Sequence, residues 1–186
     1  KYDPLGRIIE TVAPTGSKQS FSYDALGNRL SETSGEGHTT TYSYDSMNRV
    51  SSKKRPTGGV TQYAYDATGS LAKETDANGH STNYVNDLYG RVTKRTLPNE
   101  AAYTYAYDAL GRLTKQTGPQ GLSKTYSYDV SGNLVQETDQ SDLSNHYSYD
   151  KVGRLLTAKN ALDLETKYSY DEAGNLTKLT KPSGAT

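Results

Sequence analysis

The sequence predicts an all-β fold, an antiparallel β-hairpin repeat array of about nine units that forms a coiled or spiral β-ribbon. Three observations predict it. A signature returns nine times at an unbroken interval of 21 residues: an aromatic, a spacer, Tyr-Asp, two residues, Gly, then Arg or Asn and an aliphatic. A fixed period of this length marks a repeat architecture. Around each Tyr-Asp the residues alternate aromatic with small, the period-two pattern of a strand with one apolar face. Asp and Gly stand three apart, as a type I turn favours, whereas no 3.6-residue periodicity persists and Gly or Pro recurs too often for helices.

The unit from Tyr105 to Tyr126 shows the elements in order. Tyr105-Ala106-Tyr107 is a first strand and Asp108-Ala109-Leu110-Gly111 a turn. The Asp carboxylate accepts backbone N–H groups of its own turn, and Gly takes the positive φ that closes it. Arg112 to Thr117 resumes alternation as a second strand, Gly118-Pro119-Gln120-Gly121 is a second turn, and Ser123 to Tyr126 starts the next unit. Each copy is therefore two strands and two turns, giving roughly 18 strands in all, a ribbon on the order of 85 Å across at ~4.8 Å per strand. Right-handed twist makes a flat sheet of that width unfavourable, so it is expected to coil or split.

Copy by copy, the turn residues are Asp3 and Gly6, Asp24 and Gly27, Asp45 and Asn48, Asp66 and Gly69, Asp87 and Gly90, Asp108 and Gly111, Asp129 and Gly132, Asp150 and Gly153, and Asp171 and Gly174. The packing ladder is Tyr23, Tyr44, Tyr65, Tyr107, Tyr128, Tyr149 and Tyr170, with Tyr2 opening the series. In the second copy, Gly27-Asn28-Arg29-Leu30 reads as one extra residue compensated downstream, a β-bulge beside the turn. In the third, Asn48 replaces Gly, the exchange a left-handed position tolerates best. The fifth copy has Asn86-Asp87 in place of Tyr-Asp but keeps Gly90. Further ladders run through Phe21, Tyr42, Tyr63, Tyr84, Tyr105, Tyr126, Tyr147 and Tyr168, and through Leu71, Val92, Leu113, Leu134, Leu155 and Leu176. With the Tyr-Asp tyrosines, these are the expected core. A row of aspartates repels itself, so the turn N–H groups and Arg7, Arg49, Arg91, Arg112 and Arg154 are expected to compensate it.

Composition narrows the function classes. Leu, Ile, Val and Phe make up only about 15% of the 186 residues, but 17 tyrosines supply apolar area. Lys plus Arg and Asp plus Glu are 21 each, and the longest basic run is Lys53-Lys54-Arg55. That balance argues against nucleic acid, which needs clustered cations. The absence of cysteine rules out disulfides and thiolate metal sites. No apolar stretch approaches the ~18 residues of a membrane span. The first residues, Lys1-Tyr2-Asp3-Pro4, begin inside a repeat without a signal-peptide pattern, and Pro182-Ser183-Gly184 reads as a turn without a cap, so residues 1–186 are expected to be one repeat array cut from a longer protein.

Phe21-Ser22-Tyr23-Asp24-Ala25-Leu26-Gly27-Asn28-Arg29-Leu30 and Tyr105-Ala106-Tyr107-Asp108-Ala109-Leu110-Gly111-Arg112-Leu113 resemble the YD repeat of Rhs proteins, wall-associated toxins, the B and C components of Tc insecticidal toxins, and animal teneurins. The resemblance covers essentially the whole chain. It implies a β-strip wound into a hollow shell, which in bacterial toxins encloses a C-terminal toxic domain and in teneurins belongs to an adhesion ectodomain. Such shells run longer and end in a self-cleaving segment with an Asp-Pro-x-Gly-Leu motif. Asp3-Pro4-Leu5-Gly6 is similar to that ending, but it is followed by Arg7-Ile8 and lies in phase with the repeats, so it reads as a repeat turn.

Sharper chemical readings are outweighed. Ser70-Leu71-Ala72-Lys73 and Ser51-Ser52-Lys53-Lys54 have Ser-x-x-Lys spacing but fall on repeat strand positions. His38 and His80 share a phase two units apart and His146 does not, so they read as solvent-facing strand residues. One Asp per repeat, already engaged in a turn, falls short of a calcium site, and Asp76, Asp139, Asp142 and Asp163 are scattered. Asn175-Leu176-Thr177 is the single glycosylation pattern. No nucleophile–base pair stands out, so the expectation is no enzyme, no cofactor and no metal.

The role expected is a wall or scaffold segment of a secreted or cell-surface bacterial protein, whose partners are flanking repeats, other copies of itself, and an enclosed toxin or effector. Two alternatives remain. Unpaired strand edges at both ends and zero net charge favour head-to-tail growth into a filament. Exposed tyrosine rows suit stacking on glycans.

Overall fold

The computed structural model describes residues 1–182, so Ser183 and Gly184 of the expected terminal turn lie outside the described residues. The chain forms 17 β-strands and one 3-10 turn at Pro119–Gly121, with no α-helix among the described residues. It falls into two compact units, Lys1–Glu100 and Ala101 onward. In the first, the strands are β1 (Glu10–Val12), β2 (Lys18–Tyr23), β3 (Arg29–Thr33), β4 (Thr39–Tyr44), β5 (Val50–Lys54), β6 (Val60–Tyr65), β7 (Leu71–Thr75), β8 (Ser81–Asn86) and β9 (Val92–Thr96). In the second they are β10 (Ala102–Tyr107), β11 (Leu113–Thr117), β12 (Ser123–Tyr128), β13 (Leu134–Asp139), β14 (Ser144–Tyr149), β15 (Leu155–Lys159), β16 (Glu165–Tyr170) and β17 (Leu176–Thr180).

Within each unit every strand pairs antiparallel with its sequence neighbours. The first repeat contributes only the isolated bridge Tyr2–Ile8 before β1. This up-and-down order follows from turns too short to permit any other connection. It places all Tyr-Asp turns of a unit on one edge and the second turns of each repeat on the other.

Both kinds of turn share one backbone geometry. Gly111 N–H donates to Asp108 O at 3.0 Å and Asp108 N–H to Arg112 O at 2.9 Å. On the opposite edge Gly37 N–H donates to Ser34 O and Ser34 N–H to His38 O, both at 2.9 Å. The closing residue is left-handed in each case, with φ 82 at Gly111 and φ 81 at Gly37. Asn48 adopts φ 60 at the same position, and Asp142 and Asp163 adopt φ 59 and φ 62 on the second edge. The turn at Gly118 departs from the pattern, with Gln120 and Gly121 left-handed in succession.

The second copy contains no extra residue. Tyr23 pairs with Arg29 as Tyr107 pairs with Leu113, so Asn28 occupies the place of Arg112, and Arg29 the place of the aliphatic. A bulge is present, but in each of the eight hairpins from the second copy onward rather than in this copy alone. The register slips by one between Ser22 and Tyr23 and likewise between Ala106 and Tyr107, leaving Leu30 and Thr114 unpaired on the partner strands. Thr114 and Thr93 donate their hydroxyls across the bulge to Ala106 O and Val85 O, at 3.2 and 3.1 Å.

The expected apolar core takes a different form. Among the described residues no hydrophobic side chain is fully buried, and Thr61 alone is buried at all closely. Packing is confined to sequence-adjacent strands, so each unit is one layer thick and no second layer closes over it. The tyrosine and leucine ladders are half-buried on one face, as in β4 where Tyr42 and Tyr44 are covered and Thr41 and Ser43 exposed. Leu176 is exposed.

Candidate functional site: the repeat-to-repeat ladder

Each Tyr-Asp turn is built around its carboxylate. Asp108 Oδ1 accepts the N–H groups of Leu110 and Arg112, both at 2.9 Å, and Oδ2 accepts Arg112 Nε at 2.7 Å. Asp3, Asp45, Asp87 and Asp150 are held in the same way by Arg7, Arg49, Arg91 and Arg154, with Asp–Arg ion pairs of 2.6 to 2.7 Å. Asp24, Asp129 and Asp171 use the shorter Asn28, Asn133 and Asn175, whose amides donate at 2.8, 2.9 and 3.0 Å. The row of aspartates is thus compensated turn by turn. The backbone N–H of Arg112, then its guanidinium, holds the Asp108 carboxyl below the usual range, and for Asp24 the Asn28 amide is the main cause.

The same arginines tie one copy to the next. The guanidinium carbons of Arg7, Arg49, Arg112 and Arg154 lie 4.9, 4.4, 4.8 and 4.9 Å from the ring centroids of Tyr23, Tyr65, Tyr128 and Tyr170. Arg7, Arg112 and Arg154 also donate from Nη1 to the backbone carbonyls of Asp24, Asp129 and Asp171, at 2.7, 3.1 and 3.2 Å. In return each covered tyrosine donates its hydroxyl to the carbonyl one residue beyond the arginine. Tyr23 reaches Ile8 O at 2.9 Å, Tyr65 reaches Val50 O at 2.8 Å, Tyr128 reaches Leu113 O at 2.8 Å and Tyr170 reaches Leu155 O at 2.9 Å. Tyr44 donates to Arg29 O at 2.8 Å although its repeat partner is Asn28. Tyr107 and Tyr149 pair across their hairpins with Leu113 and Leu155, and burial pushes the Tyr149 phenol up. One residue therefore closes its own turn, covers the next ring and fixes the spacing between copies.

Two departures from the signature meet in space. Ser70 stands where other copies carry Arg or Asn, and Asn86 stands where they carry Tyr. Asn86 Nδ2 donates to Asp66 Oδ2 at 3.1 Å and to Leu71 O at 2.9 Å. It supplies the carboxylate contact that Ser70 is too short to make, and also the carbonyl contact that a tyrosine hydroxyl makes elsewhere. Thr68 Oγ1 adds a bond to Asp66 Oδ1 at 2.6 Å. The Thr68 hydroxyl first and the Asn86 amide second hold Asp66 down to about 2.

Sequence reasoning located these turns but missed the arginine's reach into the next copy and the exchange at Asn86. The signal was present, since eight of the nine copies carry Arg or Asn after the closing turn residue. Of the histidines, His80 lies 3.3 Å from Asp76, a carboxylate that accepts the N–H groups of Asn78 and His80 in its own turn, and His38 lies 3.5 Å from Glu36. These contacts serve the second row of turns.

Residues 1–124 match the teneurin YD-shell family, and residues 149–186 match the RHS repeat. No curated protein matches the chain. Among solved structures, the fold is similar to that of the Photorhabdus luminescens Tc holotoxin pore, with TM-score 0.79 and 17% identity over 96% of this chain and 12% of that one. A crystal structure of TcdB2-TccC3 is similar with the same TM-score of 0.79, 17% identity, and 96% and 12% coverage. The chain thus spans about an eighth of the length of these structures, and at such identity the likeness concerns the fold alone.

Proposed function

The chain belongs to the teneurin YD-shell family, and from that premise we propose that this structural repeat segment is a stretch of shell wall in a longer secreted or cell-surface bacterial protein, where it helps enclose a toxin or effector. The observation that carries this reading is the ladder from copy to copy. Arg49 closes the turn of Asp45 and covers Tyr65 of the next copy, and equivalent contacts recur in both units. Among the described residues such bonding directs the polar and aromatic groups to extending a sheet of uniform pitch rather than to converging on a small molecule. The enclosed toxin or effector is what the resemblance to the YD repeat implies, and the likeness to Tc toxin structures, one of fold, is compatible with it.

The glycan reading of the tyrosine rows draws little support from this geometry. The rings of Tyr23, Tyr65, Tyr128 and Tyr170 already carry a guanidinium, and their hydroxyls are spent on backbone carbonyls.

Electron cryomicroscopy of the full-length parent, with limited proteolysis of its C-terminal segment, tests the proposal. The expected result is a closed wall containing these hairpins as consecutive strands and a protease-resistant cargo inside. Hairpins projecting free of any wall, or a cargo cleaved as fast as an isolated peptide, would overturn it.

A further inference from the structure

One dipeptide in the chain is chemically unlike the rest. Of the ten asparagines, Asn78 alone precedes a glycine. An asparagine loses its side-chain amide when the backbone nitrogen of the next residue attacks its Cγ, and a side chain on that next residue hinders the approach. Gly79 has none, and nothing lies within 4 Å of a Cβ built on it. Both residues are exposed, at the tip of the second-edge turn between β7 and β8, so water reaches them.

The turn holds this pair in a shape that opposes the reaction. Gly79 N–H donates to Asp76 O at 3.0 Å, so the attacking nitrogen has its proton engaged in a bond. Asp76 Oδ1 accepts the N–H groups of Asn78 and His80, both at 2.9 Å, which fixes the peptide planes on either side of the pair. Ring closure has to bring Gly79 N to within about 3–3.5 Å of Asn78 Cγ. That requires Cβ and Gly79 N to be eclipsed about the Cα–C bond of Asn78, a rotation of roughly 120° from the ψ of about 0° at the third residue of a type I turn. Such a rotation breaks the bond from Gly79 to Asp76.

We propose that Asn78 is a deamidation site gated by its own turn, which preserves the amide while closed and releases it when opened. The step balances without a redox partner. Gly79 N forms a bond to Asn78 Cγ, the Cγ–Nδ2 bond breaks, and the amide leaves as ammonia with the proton that Gly79 N gives up. Water then opens the five-membered ring at either carbonyl, leaving aspartate or isoaspartate at position 78. Aspartate sets a second carboxylate in the turn of Asp76, and isoaspartate lengthens the backbone inside the loop that Gly79 and Asp76 close. Each product weakens the closure that protected the amide, so one opening of the turn is recorded irreversibly. Asn99 stands at the same repeat position one copy later, but Glu100 follows it, which makes it an internal control.

Incubation of the whole chain in mildly alkaline solution, in parallel with and without urea, tests this, with digestion and peptide mass spectrometry to read each asparagine. Asn78 should convert about 10-fold or more faster in urea, since opening the closed turn breaks several hydrogen bonds, and Asn99 should lag far behind it in urea. Asp76→Ala removes the carboxylate acceptor and should raise the rate in buffer several-fold while leaving the rate in urea unchanged. Asp76→Asn keeps an acceptor of the kind that Asn160 offers Leu162 and Leu164, and should stay near the original rate. Equal rates for Asn78 with and without urea overturn the proposal, whatever the variants do. So does a slower reaction in folded Asp76→Ala, which makes the carboxylate a catalyst rather than a clamp, or conversion of Asn99 as fast as Asn78 in urea.

Discussion

Arg49 lies over the ring of Tyr65 at 4.4 Å, while the Tyr65 hydroxyl donates a hydrogen bond to Val50 O, the carbonyl next to that arginine, at 2.8 Å. Residues sixteen apart in sequence are thereby bound at two points, across a boundary between copies. In a sheet without a second layer this kind of contact has to supply much of what a core supplies elsewhere.

Arg49 and Tyr65 should therefore be energetically coupled. Arg49→Ala and Tyr65→Ala should each lower stability by about 1–3 kcal/mol, with a coupling of about 0.5–2 kcal/mol in a double-mutant cycle. Urea unfolding measures it, and strictly additive losses would show that the stacked geometry contributes nothing of its own.

The left-handed turn positions should rank substitutions by backbone preference alone. Gly132 has φ 91 and nothing within 4 Å of an added Cβ, so space is not at issue. Gly132→Val should cost about 1–2 kcal/mol or more and Gly132→Asn distinctly less. Thermal unfolding of the two variants checks the order, and equal losses would contradict it.

Asn86 should matter through the two acceptors it serves. Asn86→Ala removes the donor for Asp66 and Leu71 O and should lower stability by about 1–3 kcal/mol. Restoring the regular signature with Ser70→Arg/Asn86→Tyr should recover that loss, whereas Asn86→Tyr alone should not, because it leaves Asp66 Oδ2 without its amide. Chemical denaturation of the three variants distinguishes these outcomes.

Stability should fall in acid. The turn carboxylates have pKa values lower in the folded chain than in the unfolded one, where about 3.9 applies, and Asp66 is held at about 2. The unfolded state then binds more protons in that range, so stability is complete above about pH 5 and declines as pH falls toward 2. Unfolding midpoints recorded from pH 7 to 2 should show this slope, and Asp66→Asn should flatten part of it. A midpoint independent of pH over that range would refute the account.

Much of this fold was legible because it is local. Asp108 and Gly111 lie within one turn, and the left-handed conformation and carboxylate acceptor they provide depend on no distant residue. Alternation along Tyr105-Ala106-Tyr107 likewise declares its own face. Asn28 was misread as an insertion because two residues after Gly27 looked like one arginine displaced. Only pairing of Tyr23 with Arg29 shows that the frame is unbroken. Asn86 looked like a lost tyrosine, and its two acceptors lie 15 and 20 residues away.

The sequence by itself determined the period, the strand-and-turn alternation, and the positions where backbone must turn left-handed. Those depend on φ/ψ preference and hydrogen bonds within a few residues. The tertiary structure decided which copy each arginine serves, where the bulge falls, and that the ladders are half-covered rather than enclosed. Those depend on cross-strand register and on the number of layers, neither of which a repeating string contains.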